Sequence, residues 1–226
     1  VAGAVAAFTS CLIWMWPEPD ARYPSSARLA PGRVLPVERG QHRAPAWTAL
    51  WVTLGADAAL FASLAFSFFF LWGYAANWPA ELTLATPLSL PLATLPPLLL
   101  SVGTMWWAEA AIRRGDRPAL AWRLLLAIVA GSGFLALQLW IHVVELAPAD
   151  RHARYALSHV TALYQGVHLV IAMAMAAMAM LRAWRGDFAA DRHLAVRIAV
   201  RFWTFATVLW LIGFPLVHLA PWLFLR

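Results

Sequence analysis

The chain has 226 residues, of which 62% are hydrophobic and only 12% charged, with 14 Trp and a formal net charge of +6. Such an apolar excess excludes an ordinary soluble domain. All 17 basic residues are Arg and they sit between apolar runs, so the positive balance marks membrane topology and excludes a nucleic-acid binder.

Val1 to Trp16 is an apolar run short for a full crossing, and it lacks the basic residues that open a signal peptide, so it predicts a short transmembrane segment. The chain starts on Val rather than Met and reads as trimmed or cut from something longer. Residues 17–45 hold Pro17, Pro19, Pro24, Pro31, Gly32, Pro36 and Pro45, which predicts a loop or linker. From Ala44 to Ala76 the one charged residue is Asp57. At about 1.5 Å per residue this run more than spans a hydrocarbon core of roughly 30 Å, and it predicts a helix over 46–74 with Asp57 near mid-depth. Further runs predict helices near 92–112, 120–145, 155–182 and 200–225, each ended by charge or by Pro and Gly. Pro96, Pro97 and Pro215 fall inside these runs and are expected to kink them. The expected fold class is all-α: a polytopic transmembrane helical bundle of five long helices plus the short N-terminal segment. Its regions are 1–16, the connector 17–45 and the bundle 46–226.

Lys and Arg are retained on the cytoplasmic side of short loops. Arg22, Arg28, Arg33, Arg39, Arg43, Arg113, Arg114, Arg117, Arg123, Arg182, Arg185, Arg192, Arg197 and Arg201 fall on one set of loops and helix ends, against Arg151, Arg154 and Arg226 on the other. This split of 14 to 3 stays in phase through every predicted crossing, placing the connector inside and the C-terminus outside. The lone Cys11 cannot form an internal disulfide.

Within a bilayer the informative side chains are the polar ones. Gln138, His142 and Glu145 form one stripe at helical spacing, and Ser158, Thr161, Gln165 and His168 a second on the next helix. A short outer loop makes these helices antiparallel neighbours, so the stripes are expected to face one another. They read either as hydrogen-bonding glue between helices or as a proton or ligand pathway. Asp57 is flanked by Gly55, Ala56, Ala58, Ala59 and Ala62, small residues that admit a close neighbour. It reads as an interface carboxyl, structural or concerned with protons or lipid; desolvation would raise its pKa and let it donate a hydrogen bond. His142, His159 and His218 lie toward the outer face and His168 near mid-membrane. The spacing of His159 and His168 sets them on opposite sides of their helix, and neither CxxC nor HExxH occurs, which argues against a dedicated haem or metal site. Trp47, Trp72, Trp78, Trp184 and Trp222 lie near predicted boundaries as an aromatic belt, whereas Trp203, Thr207 and Trp210 share an inward face.

Several stretches in order then carry a resemblance. They are Leu54-Gly-Ala-Asp57-Ala-Ala-Leu60-Phe61-Ala; Pro87-Leu-Ser-Leu-Pro91-Leu with Thr94; Leu137-Gln138 ahead of Glu145; Tyr164-Gln165-Gly166-Val167-His168-Leu169-Val170; and Arg201-Phe202-Trp203 with Trp210. From about Gly40 to Phe224 the chain resembles subunit III of the haem-copper oxidases, in its five-helix form. It departs from that family at three places: Asp57 stands where Glu is usual, Gln165 where a first His precedes Gly, and Thr207 where an Asp is common. The run Val1 to Trp16 with its basic connector resembles the last helix of an oxidase subunit I leading into a fused subunit III. A vestige of the subunit III first helix pair, or an unrelated anchor, is the alternative.

The resemblance implies an accessory, non-redox subunit of a respiratory terminal oxidase that couples oxygen reduction to proton pumping. It would stabilise the catalytic subunit, bind phospholipid and support proton uptake, with oxidase subunits I and II as partners. Haem and copper are expected in the partner catalytic subunit and no cofactor in this chain. The expected location is a bacterial-type inner membrane, crossed several times. Asp57 and His168 are the foremost site candidates, followed by Gln138, His142, Glu145, Gln165 and Trp203. The rival readings are an accessory protein of nitric oxide reductase and a free-standing transmembrane cytochrome or transporter.

Overall fold

A computed structural model of the chain describes residues 26–30, 33–36, 45–74, 88–145 and 148–219. It divides into two compact units, 1–44 and 45–226. In the first, β1 (Ser26–Ala30) and β2 (Arg33–Pro36) pair antiparallel, Ser26 opposite Pro36 and Arg28 opposite Val34, with an irregularity between Arg28 and Ala30. A loop was the expectation for this connector. Pro31-Gly32 between the two strands is turn punctuation, and the short Val34-Leu35 run beyond it is too brief to stand out as a strand by alternation. The predicted segment 1–16 lies outside the described residues.

The second unit is a helical membrane bundle. Its helices are α1 (Pro45–Tyr74), the short α2 (Ser89–Ala93), α3 (Leu95–Arg113), α4 (Arg117–Trp140), α5 (Ala153–Trp184) and α6 (Leu194–Phe214). One π turn, Ile141–Glu145, continues α4 and another, Pro215–Leu219, continues α6. Among the described residues five helical spans are long and apolar enough to cross a membrane, at 45–74, 89–113, 117–144, 153–184 and 194–219. Helices α3, α4, α5 and α6 pack in sequence order, and α6 closes back onto α3; α1 lies outside this ring against α6 and α5.

Local chemistry sets the boundaries. Pro96 and Pro97 do not kink a continuous helix: a turn at Thr94 separates α2 from α3, and the prolines occupy the first turn of α3, where no N–H is required. At the other end of α3, Gly115 takes a φ of 79°, so that its N–H reaches Ile112 O (2.9 Å) and that of Asp116 reaches Ala111 O (3.1 Å). Asp116 then caps α4 by accepting from the Ala119 N–H at 3.0 Å. Gly186 ends α5 the same way, with φ 80°. Both glycines sit at the Arg-rich end of the bundle.

Beside an apolar core, several polar side chains lie inside the bundle and many large apolar ones outside. Ser101, Thr104, Glu109, Gln138, Ser158, Thr161, Gln165, His168 and Thr207 are buried, while Phe66, Phe69, Trp107, Trp122, Leu139 and Leu163 face outward. Lipid is as apolar as Leu, so small side chains and interior polar groups, rather than oil-like cores, hold such helices together. The stripe Ala172, Ala176, Ala179 and Ala183 of α5 is fully or almost fully buried. Trp203 of α6 is wholly buried, its Nε1–H donating to Ser101 Oγ of α3 at 3.0 Å. Gly131 of α4 leaves room for that indole, since a Cβ there would stand 2.9 Å from Cζ2.

Candidate functional site

Asp57 meets its partner on α5. Residues 164 and 168 are one turn apart and share a face. His168 Nδ1 lies 2.8 Å from the Tyr164 carbonyl, which can only accept, so Nδ1 carries the hydrogen. His168 Nε2 is thereby turned to Asp57 Oδ2 at 3.3 Å. Tyr164 holds the opposite side of the contact: its hydroxyl donates to the Asp57 carbonyl oxygen at 2.7 Å, and its ring stacks on Phe61 with centroids 6.2 Å apart. Phe202 of α6 lies parallel to the His168 imidazole at 6.0 Å. With Nδ1 turned to its own helix, Nε2 is the ring nitrogen that faces the Asp57 carboxyl, whose side chain is 25% exposed.

Gln138, His142 and Gln165 gather in a second place, toward the outer end. They line one small cavity with His218, Trp210, Gly213 and Phe214. Gln165 Nε2 donates to Leu209 O of α6 at 2.9 Å, against the bare face of Gly213, where a Cβ would collide with the amide. Gln138 Oε1 and His142 Nε2 are buried, with no hydrogen-bond partner among the described residues. The two stripes do face one another, yet their hydrogen bonds go elsewhere: Ser158 to Arg154 O, His142 to Gln138 O, and Gln165 to α6. Trp203 belongs to the packed core rather than to either cluster. Glu145 lies in the π turn, and its side chain is outside the described residues, as are Trp78 and Trp222.

A third cluster escaped the sequence reading. Glu109 of α3 is buried, and its carboxylate meets Arg113, Arg201 (Nη1 to Oε2, 3.0 Å) and Arg197 (Nε to Oε1, 3.7 Å). Arg201 also lies over the Trp106 ring and Arg197 over Trp47, with guanidinium carbons 4.2 and 4.8 Å from the ring centres. The signal was present: Glu109 and Arg113 are four residues apart on one helix face.

His193 borders this cluster, just ahead of α6. Burial, joined by the Arg197 and Arg113 charges and only partly offset by the Ala189 carbonyl and Glu109, holds its pKa below the ordinary 6.5. The unfolded chain therefore binds this proton more readily than the fold does. Its share of stability is complete above about pH 6.5 and is lost as pH falls toward the lower, folded pKa. Thermal unfolding in mild detergent should show a lower midpoint at about pH 5 than at about pH 7, and His193→Gln should flatten the difference.

Among the described residues no group of three or more His, Cys, Asp or Glu side chains is placed to hold a metal ion. Comparison with known proteins then decides the kinship: the family model for cytochrome c oxidase subunit III matches residues 50–222. The chain belongs to the cytochrome c oxidase subunit III family. Among similar relatives, cytochrome c oxidase subunit 3 of Danio rerio is 30% identical over 134 residues, which are 59% of this chain and 51% of the relative. That of Coturnix japonica is 29% identical over 138 residues, 60% of this chain and 52% of the relative. That of Lycodon semicarinatus is 26% identical over 137 residues, with the same two shares. The chain thus spans about half the length of the curated relatives it matches. The subunit III match runs from within α1 to beyond α6, and so includes Asp57, the outer cavity and Glu109.

Proposed function

We propose that this chain is an accessory, non-redox subunit of a membrane terminal oxidase, seated beside a catalytic subunit I and a subunit II that carry haem and copper. Its Arg-rich end faces the cytoplasm of a bacterial-type inner membrane, and the C-terminus lies outside. Bound phospholipid and support of proton uptake are its contributions, with residues 46–226 as the subunit III bundle and 1–16 as the trailing helix of a fused subunit I. The observation that carries this reading is the His168–Asp57 contact of 3.3 Å, an ionisable pair between a helix of the bundle and the peripheral α1. Ionisable pairs at membrane depth are costly and mark function by default. Asp57 and His168 are the foremost site residues, with Gln138, His142, Glu145, Gln165 and Trp203 as second choices.

The test is Asp57→Asn in the purified complex. The amide keeps the shape of the side chain but does not ionise. Turnover-dependent inactivation should quicken by about tenfold, or phospholipid should be lost on purification, while the haem spectra of the complex stay unchanged. A vanished haem signal, or a Soret band that travels with this chain once separated from its partners, would show the subunit assignment to be wrong.

A further inference from the structure

Helix α1 buries Leu50, Leu54, Phe61 and Phe68, side chains without polar atoms, against α5 and α6. Leu54, Phe61 and Phe68 follow one another at seven residues. A slide of the helix by two turns, about 10 Å, therefore sets one of them where another stood. Such an exchange costs little, because lipid is as apolar as Leu. A seam of this kind specifies contact but not height, and a polar contact set into it supplies the register. The hydroxyls of Ser63 and Ser67 are spent within α1, on the carbonyls of Ala59 and Ser63. At the inner end the Arg197 guanidinium lies over Trp47 at 4.8 Å, an attraction spread across a ring face rather than aimed at one atom.

Position 57 stands between Leu54 and Phe61 on this face, and there Tyr164 of α5 makes a bond that has direction. Its hydroxyl donates to the main-chain carbonyl of Asp57 at 2.7 Å. A carbonyl has two lone pairs, so it takes this hydrogen beside that of the helix ladder. Because the acceptor is backbone, the bond marks the height of residue 57 whatever side chain it carries. One turn further along α1 the Tyr164 ring stacks on Phe61, with centroids 6.2 Å apart, which sets the rotation of the helix. On its other side the same residue orients His168, whose ring lies tilted 4.4 Å away and whose Nδ1 meets the Tyr164 carbonyl. Phe202 and Phe205 of α6, at 6.0 and 6.4 Å, keep that imidazole with the ring of helices. One tyrosine thus fixes the position of the carboxyl on α1 and of the ring that faces it.

We infer that Tyr164 is a positioning residue that pins the register of α1: without its hydroxyl the helix slides along its apolar seam and carries Asp57 out of reach of His168. The inference rests on Asp57 and His168 as the foremost site residues of the proposed accessory subunit, while its test reads position rather than turnover. The full chain, in the complex in which it is purified, carries spin-labelled non-natural residues in place of Tyr74 on α1 and Val160 on α5, both exposed, and the distance between them is read by pulsed electron resonance. Wild type should give one distance. Tyr164→Phe keeps the ring and loses the hydroxyl; it should add a second population, displaced along the helix axis by one or two turns, about 5 or 10 Å. Amide exchange over residues 50–68 should quicken by about threefold in the same variant, with α3 to α6 unchanged. Asp57→Asn should keep the single distance, since the pinned atom is backbone. Where Tyr164→Phe fails to fold, infrared spectra of the unmodified chain decide: a ¹³C-labelled Asp57 main-chain carbonyl, with its second hydrogen bond, should absorb at lower frequency than that of the outward-facing Ala58. A single distance in Tyr164→Phe, a displacement in Asp57→Asn as large as in Tyr164→Phe, or equal carbonyl frequencies at 57 and 58 overturns the inference. Turnover-dependent inactivation that Asp57→Asn leaves unchanged counts instead against the proposed function, and the distances stand apart from it.

Discussion

Glu109→Ala should destabilise the bundle by about 3 kcal/mol, measured by unfolding in mild detergent. The carboxylate is 2% exposed and answers to three guanidinium groups. Removing one partner of a buried pair generally costs about 3–5 kcal/mol, because the remaining charge is stranded. The lower end applies here because the side chain of Arg113 is 55% exposed and can swing outward. Arg197 and Arg201 have less freedom, at 10% and 18% exposure and with Trp47 and Trp106 beneath them. Left together without the carboxylate, they repel. Hence the double variant Glu109→Ala with Arg197→Leu should recover part of the loss. A double variant no more stable than Glu109→Ala would show that charge stranding is not the cause.

Trp203→Ala is the second large effect, of a different kind. In a water-soluble core such a truncation costs about 3–5 kcal/mol, part of it transfer of apolar surface from water. Between membrane helices that part falls away, since lipid is as apolar as the interior, and the lost dispersion contacts and the cavity remain. The indole also donates to Ser101 Oγ, which is wholly buried, so truncation leaves a hydroxyl without its donor. About 2–3 kcal/mol is expected, by the same unfolding measurement. Trp203→Phe fills most of the space without the N–H and should lie between. Equal stability of the Phe and Ala variants would place the loss in the hydrogen bond alone.

The sequence made the membrane helices legible because apolar length is a one-dimensional property: the predicted 46–74 and 155–182 stand within two residues of α1 and α5. The inward face of Trp203, Thr207 and Trp210 was equally readable from spacing, and all three are buried. Which polar groups meet was harder. Asp57 stands out as a carboxyl costly in lipid and His168 as a member of a polar stripe, but nothing local announces that Tyr164 orients both. Gly55 was read as room for a neighbour, yet a Cβ there would touch nothing within 4 Å. Glu109 lies one turn from Arg113 and reads locally as an ordinary helix-surface pair, whereas its cluster is assembled from two helices almost a hundred residues apart. Pro96 and Pro97 misled for a simpler reason: a proline pair in an apolar run reads as a kink until the turn at Thr94 makes it a beginning.

Helix α1 is fastened by one thin seam. Its buried residues Leu50, Leu54, Phe61 and Phe68 recur at four and seven, a single ridge laid on α5 and α6, and most of the rest of its circumference is uncovered among the described residues. A rod glued along one line peels before a ring of rods breaks, so local opening should begin there. The Asp57 carboxyl rides on the piece that peels, and the His168 imidazole stays with the ring. Lateral force on α1, from lipid or a neighbouring protein, therefore bears on the Asp57–His168 contact and on the Tyr164 hydroxyl bond beside it.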